Sequence, residues 1–412
     1  MGAHIPGISK TRTREVCLVS IALAIPRVTG EAALVQGVQA LTVTPFFPSI
    51  QNPAEGCFIA EPIERMRQFN IRTWTIAVRP FYRGSADPCV SASEWAKYYW
   101  VPGNVGLATS GAGVFTAITR RAHALNRTSP IQLIHAHAAL PCGEAAMLLA
   151  EAMGIPFLVS VHGLDVFADR QAGIWFGRWT NRRSLRVYQR AKGIVCISSK
   201  VREMLPPELR LKARVISNGV DAEVFRPGCV ESSRLRVLSV GNLIPTKGHA
   251  LLLRAFASVA KTFAPIELEI IGEGPERKNL VKLAADLGIS GRVVLRGRQD
   301  RRSVAEAMRS CSVFVLASDY EGLGCVYLEA MACGKPAIGC VGQGIEDIIQ
   351  HGENGLLVAP SEAALSQTLR VLLENASLRK RLGIAARETI IRQHTLKHQA
   401  RKLADLYQEC LR

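Results

Sequence analysis

The chain has 412 residues, 48% of them hydrophobic, and carries 51 Lys and Arg against 34 Asp and Glu, a net charge of +17. That length and apolar share support two domain-sized cores and exclude a disordered or low-complexity chain. Eleven cysteines lie singly, with no C-x-x-C pair and no zinc-like spacing, which excludes a disulfide framework and a structural metal site and points to a reducing, cytosolic compartment.

Residues 1–38 differ from the rest of the chain. Lys10, Arg12 and Arg14 precede the apolar run Val16–Ile25, signal-like in outline but too short to span a bilayer. The segment reads as a poorly ordered extension, of the kind a start codon set too far upstream would add, and a membrane-contacting segment is the second choice. Ala40–Thr44 then reads as a strand, followed by a loop, Ser49–Gly56, and a helical pattern over Cys57–Phe69. Gly56 before that helix would admit a phosphate or sugar, though an ordinary βα turn explains it equally well. Arg72–Val78 is the next expected strand, and Arg79–Asn104, with Trp95, Tyr98, Tyr99 and Trp100, reads as an irregular aromatic stretch of the kind that builds acceptor sites.

Ile131–His137 is a strand ending in two histidines, followed by a helix over Pro141–Met153 and a strand over Ile155–Val161 that leads to His162-Gly163-Leu164-Asp165. Polar residues at the carboxyl ends of such strands are where open parallel sheets bind ligands. His135 is better explained as structural, His137 is evenly balanced, and Asp165 would serve as a helix cap. Between Arg178 and Arg214 there are eleven Lys and Arg against Glu203 and Glu208. Arg178, Arg182, Arg186 and Arg190 recur every four residues and form one stripe on a helix, with Trp175, Phe176 and Trp179 at its amino-terminal end. A solvated face is the plainer account; docking on an anionic leaflet or on a lipid-linked phosphate is the functional one. Gly193–Ser198 and Arg214–Ser217 are further strands, and Asn218-Gly219-Val220-Asp221 is a turn by composition.

Phe225–Ser233, polar and punctuated by Pro and Gly, reads as a linker. A new alternation begins after it: strands at 235–240, 266–271, 292–296 and 312–317, with helices at 248–262, 275–287 and 302–310. Gly241-Asn242 through Lys247-Gly248 sets one cation ahead of a helix start, suited to a diphosphate. Leu295-Arg296-Gly297-Arg298 closes another strand. Glu321-Gly322-Leu323-Gly324 opens a loop at a strand end, and Cys325–Met331 reads as a buried helix stopped by Gly334 and Pro336. Glu321 and Glu329 thus bracket one helix start, either as ligand contacts or as ordinary helix-end acids. Val341–Asp347 is a Gly-rich turn, Asn354–Val358 a turn and last strand, and basic amphipathic helices fill 361–412.

Glu321-x7-Glu329 followed by Ala330-Met331-Ala332-Cys333-Gly334-Lys335-Pro336, with Lys247-Gly248 and His162-Gly163 upstream in the same order, resembles the retaining glycosyltransferases of family 4 over about residues 40–395. The resemblance implies the GT-B fold: two Rossmann-like, doubly wound parallel-sheet domains facing a cleft. It implies an acceptor-side domain over 39–224, a linker over 225–233, a nucleotide-sugar domain over 234–394 and a helix over 395–412 that crosses back. On the family's pattern Glu321 contacts the donor sugar within Gly322-Leu323-Gly324, Glu329 holds the ribose and His162 approaches the transferred sugar. Lys247 clamps the diphosphate, Gly56 lies near the donor and Arg298 near the base. Asn242 stands where the family often has Arg, and Glu55 where a second Gly is frequent. An Asn offers one neutral donor in place of a bidentate cation, so Lys247 would carry more of the charge.

The expected activity is therefore retaining, metal-independent transfer of a sugar from a UDP- or GDP-sugar to a hydroxyl of a lipid-linked or polysaccharide acceptor, in cell-envelope or polysaccharide synthesis. The expected place is the cytoplasm or the inner face of the membrane. No cofactor is expected beyond the donor substrate. Three alternatives are a catalytically inactive nucleotide-sugar-binding subunit, a GT-B phosphorylase or epimerase, and a basic nucleic-acid binder. The last lacks any accompanying motif, so no nucleic acid is expected.

Overall fold

The structure, a computed structural model, describes residues 37–50, 52, 54–83, 93–99, 104–163, 174–228, 235–263 and 265–412. The expected extension up to residue 36, most of the aromatic stretch at 84–92 and 100–103, Asp165, and the linker from 229 lie outside the described residues, as do the side chains of Trp175 and Phe176.

Seven strands build the first sheet: β1 Val38–Thr44, β2 Ile71–Pro80, β3 Ser93–Tyr98, β4 Leu133–His137, β5 Phe157–Val161, β6 Gly193–Cys196 and β7 Ala213–Val215. Their order is β3-β2-β1-β4-β5-β6-β7, and every pairing is parallel. Six more build the second: β8 Leu235–Val240, β9 Ile266–Ile271, β10 Val293–Gly297, β11 Val313–Val315, β12 Ala337–Cys340 and β13 Leu356–Val358, in the order β10-β9-β8-β11-β12-β13. Strands such as β4, β5, β11 and β12 are buried along their whole length because helices cover both faces, which is why they are mostly apolar and the few polar side chains in them, His135, His137 and Ser160, are buried too. Each sheet reverses its winding beside its first strand, at β1/β4 and at β8/β11. A crevice opens there outside the carboxyl ends. These are the two Rossmann-like layers of the GT-B arrangement.

The stretch from Arg79 to Asn104, read as irregular, is corrected by β3. Ser93-Glu94-Trp95-Ala96-Lys97-Tyr98 carries Glu, Lys and Ala, which are poor strand formers, and lies at the sheet edge with only part of its length buried. Position beside β2, rather than propensity, makes it a strand. The helix expected from Pro141 begins at Glu144, after a wide turn over Ala139–Gly143. β12 was also missed, since Gly334 and Pro336 draw attention to the helix end and away from the four apolar residues after it.

Residues 37–412 pack as one compact unit. One buried cluster runs from Leu41, Ile134 and Val159 of the first sheet through Ile197, Val220 and Phe225 to Leu238, Phe314 and Leu323 of the second. The last helix, Leu396–Leu411, lays Ala400, Leu403, Ala404 and Tyr407 on Ala40, Leu133 and Leu158 of the first sheet. Its entry is pinned by paired backbone bonds, Val220 N–H to His394 C=O at 3.0 Å and Leu396 N–H to Val220 C=O at 3.1 Å.

Candidate functional site

The carboxyl end of β8 runs into Gly241-Asn242, turns at Pro245–Lys247 and starts the helix His249–Ala260 from Gly248. Gly248 has φ +66°, and a Cβ there would overlap the Ala317 carbonyl oxygen. Only glycine lets this loop lie against the end of β11. The contact delivers Lys247 to Glu321: its ammonium pairs with Glu321 Oε2, and both side chains are largely withdrawn from water. Glu321 is held by its own backbone, its N–H donating to Gln343 Oε1 at 2.8 Å and its carbonyl accepting from Gly344 N–H at 3.0 Å. The pair therefore lies at the mouth of the second sheet, ahead of the helix Cys325–Ala332, which begins after Gly324. Leu323 is fully buried beneath this loop, and Asn242 stands exposed on the loop's outer side.

The opposite wall comes from the first domain. A Cβ on Gly322 would lie 2.6 Å from the His162 carbonyl oxygen, and the Gly322 carbonyl accepts from Ser198 Oγ at 2.5 Å. Ser199 N–H donates to Asp347 Oδ2 at 2.6 Å, and Lys200 donates to the Gly342 carbonyl. Backbone thus meets backbone across the cleft, and glycine at 322 is what allows it. Gly56, left-handed at φ +69°, starts the helix Cys57–Met66, which sends Glu61 toward the second domain. There Arg301 takes Glu61 in a fork, Nη1 to Oε1 at 2.8 Å and Nη2 to Oε2 at 3.1 Å, with its guanidinium 5.0 Å from the Phe225 ring centroid.

Glu329, on the helix after the loop, belongs electrostatically to this same group. Burial pushes its carboxyl up to about 7; Arg301 opposes the rise and Glu61 adds to it. A carboxyl raised in the folded state binds its proton more tightly there than in the unfolded chain. Between the ordinary carboxylate range and about pH 7, the native protein holds the extra proton, so this group's contribution to stability falls as pH rises through that window. Glu329→Gln should gain in Tm over the parent progressively from pH 5 to pH 8. A difference in Tm that stays constant across that range would put the Glu329 carboxyl back among ordinary ones.

His162 comes directly after β5, with Phe58 edge-on to its ring at 5.1 Å. His162 Nε2 is 3.0 Å from His137 Nδ1, and the His137 ring also stacks on His135 at 4.7 Å. His135 is buried, with Nδ1 2.6 Å from the Tyr407 hydroxyl and Nε2 2.7 Å from Ser160 Oγ. Burial lowers all three imidazoles, His162 to about 4 and His135 to about 3, so the array is neutral at physiological pH.

The structure thus brings Lys247, Glu321, Gly322 and Gly324 together with the His162 backbone, and sets Glu329 with Arg301 and Glu61. It leaves Arg298 exposed in the turn after β10, three residues before the cation that does reach the other domain. Arg301, Glu61, Ser198 and Gln343 were missed. Arg301 is the first residue of a helix capped by Asp300, whose Oδ1 accepts from Ser303 N–H at 2.9 Å, and this cap was the one local signal available. Arg178, Arg182, Arg186 and Arg190 lie exposed along the helix Ile174–Arg190, while Arg183 turns inward to Glu144. Among the described residues no helix is long and apolar enough to cross a membrane.

A family model described as Glycosyl transferases group 1 matches residues 224–389, and one described as Glycosyltransferase Family 4 matches residues 76–224. An uncharacterized glycosyltransferase of Methanocaldococcus jannaschii is 32% identical over 63% of this chain and 70% of its own. A D-inositol 3-phosphate glycosyltransferase of Stackebrandtia nassauensis is 30% identical over 82% of this chain and 83% of its own. Among solved structures, Anabaena HepE in complex with UDP-glucose superposes with a TM-score of 0.69 at 16% identity, covering 90% of this chain and 99% of that one.

Proposed function

The chain belongs to the family 4 glycosyltransferases of the GT-B type, and from that premise we propose that it is a retaining transferase that uses a UDP- or GDP-sugar. The observation that carries this reading is the Lys247–Glu321 pair held at a glycine-lined crevice, with Glu329 on the next helix. Before a donor arrives, each charge neutralises the other. A donor diphosphate competes for Lys247, and release of Glu321 would leave its carboxylate to accept from hydroxyls of the sugar. Glu329 takes the ribose hydroxyls, and Gly322, Leu323 and Gly324 bring backbone amides to the phosphates. Gly56 and Asn242 line the approach, Arg298 lies toward the base, and His162 meets the sugar from the opposite wall.

In the proposed step the bond from the anomeric carbon to the β-phosphate oxygen breaks. The acceptor oxygen bonds to that carbon on the same face, and its proton passes to the leaving phosphate. Glu321, released from Lys247, accepts from sugar hydroxyls in this step and takes no nucleophile's part, unlike the second carboxylate of a double-displacement glycosidase. Lys247 and the amide groups supply the charge stabilisation that the leaving diphosphate needs, without calling for a metal. The acceptor is a hydroxyl of a lipid-linked or polysaccharide chain. The exposed arginine stripe at 178, 182, 186 and 190 would hold the enzyme on the anionic inner face of a membrane, in the cytoplasm where sugar nucleotides are made. HepE was solved with UDP-glucose, which favours the UDP series, and the named glycosyltransferase relative weighs against an inactive subunit.

The test is the thermal shift of purified protein with UDP, GDP, ADP and their sugar conjugates in chelator. One series at saturation should raise Tm by a few degrees, about 2.7 kcal/mol of stabilisation at a hundredfold excess over Kd. Glu329→Ala and Lys247→Ala should both weaken the shift. No shift with any series would sink the transferase reading.

A further inference from the structure

The neutral array behind His162 involves an element from the far end of the chain. Tyr407, on the last helix and 1% exposed, reaches β4 at His135. Ser160 on β5 takes the other ring nitrogen of His135. A neutral imidazole has one N–H and one lone pair, and a hydroxyl can donate or accept, so these two hydroxyls engage both of its nitrogens in either tautomer and fix its ring plane. His137 stacks on that fixed plane at 25° and 4.7 Å, and its Nδ1 shares a single proton with His162 Nε2 across 3.0 Å. The position of that proton decides the tautomers of both rings. If His162 donates it, its other nitrogen is an acceptor; if His162 accepts it, its other nitrogen is a donor.

We infer that Tyr407, with Ser160 and His135, is a positioning group that holds the His137 ring in its hydrogen bond to His162 and through that geometry favours one place for the proton they share, so that the last helix helps set the hydrogen-bonding face of His162. The last helix thereby acts on the site as well as on packing. Neutrality matters for the same reason, because an imidazolium would repel the positive charge that develops at the anomeric carbon during transfer. The catalytic consequence rests on the transferase reading above; the tautomer itself does not.

The experiment is nitrogen-15 NMR of the histidine rings at neutral pH, in the full chain and in Tyr407→Phe and Ser160→Ala, paired with steady-state kinetics. His137 and His162 should each appear as one neutral tautomer in the parent and as mixtures in both variants. In Tyr407→Phe, kcat should fall about tenfold with donor KM within about twofold, as expected when a single hydrogen bond that organises the site is lost. Should Tyr407→Phe fail to fold, Ser160→Ala carries the same test from the other side of His135. Nitrogen signals at the parent positions in the variant that folds, whatever the change in Tm, would overturn the inference. Altered tautomers in a protein with no transferase activity would uphold the positioning role and remove the transferase reading alone.

Discussion

Glu321→Ala is expected to lower kcat by about three orders of magnitude while leaving nucleotide affinity undiminished. The size follows from losing a preorganised charge at the reacting sugar, where single groups of this kind are worth about a hundredfold to a thousandfold. The direction on binding follows from the geometry. Glu321 is the partner that holds Lys247 before a donor arrives, with its backbone locked by Gln343 and Gly344. Removing it frees the ammonium for the diphosphate, so UDP or GDP should bind as tightly as before or more so. Titration of the nucleotide by calorimetry beside single-turnover transfer checks both parts. A variant with full turnover takes Glu321 out of the site; one with much weaker nucleotide binding assigns it to the diphosphate.

Lys247→Ala is expected to act the opposite way on binding, costing about a thousandfold in kcat/KM for the donor, much of it in affinity. Asn242 stands exposed and offers a neutral amide, so no guanidinium at that position replaces the lost charge. The variant also leaves Glu321 without its partner beside an incoming dianion, which adds repulsion to the loss of attraction. The double variant Lys247→Ala/Glu321→Ala should therefore bind nucleotide better than Lys247→Ala alone. Equal affinities in the two would show that the ion pair does not control entry of the diphosphate.

These side chains differ in how legible they are from sequence. Glu321, Glu329 and Lys247 lie in contiguous motifs beside glycines, and such short spans carry their own geometry: a strand end, a tight loop and a helix start. Arg301 carried no such mark. Its partner Glu61 is 240 positions away on another domain, and only the facing of the two helices makes a helix-start arginine into a bridge across the cleft. Arg298, set near the base by the family's pattern, is exposed in the turn after Gly297.

The amino-acid sequence by itself determined the two doubly wound sheets, since runs such as Val313–Val315 and Phe157–Val161 bury along their whole length wherever helices cover both faces, and burial of that kind is written locally. It also determined the glycine-bordered loop of Glu321 and the Lys247 turn. The tertiary structure alone decided that Ser93–Tyr98 is an edge strand, that Arg301 meets Glu61, and that Tyr407 meets His135 across 272 positions. Those outcomes depend on the route by which distant segments return to one another, and no local propensity or pattern encodes which buried donor will find which acceptor.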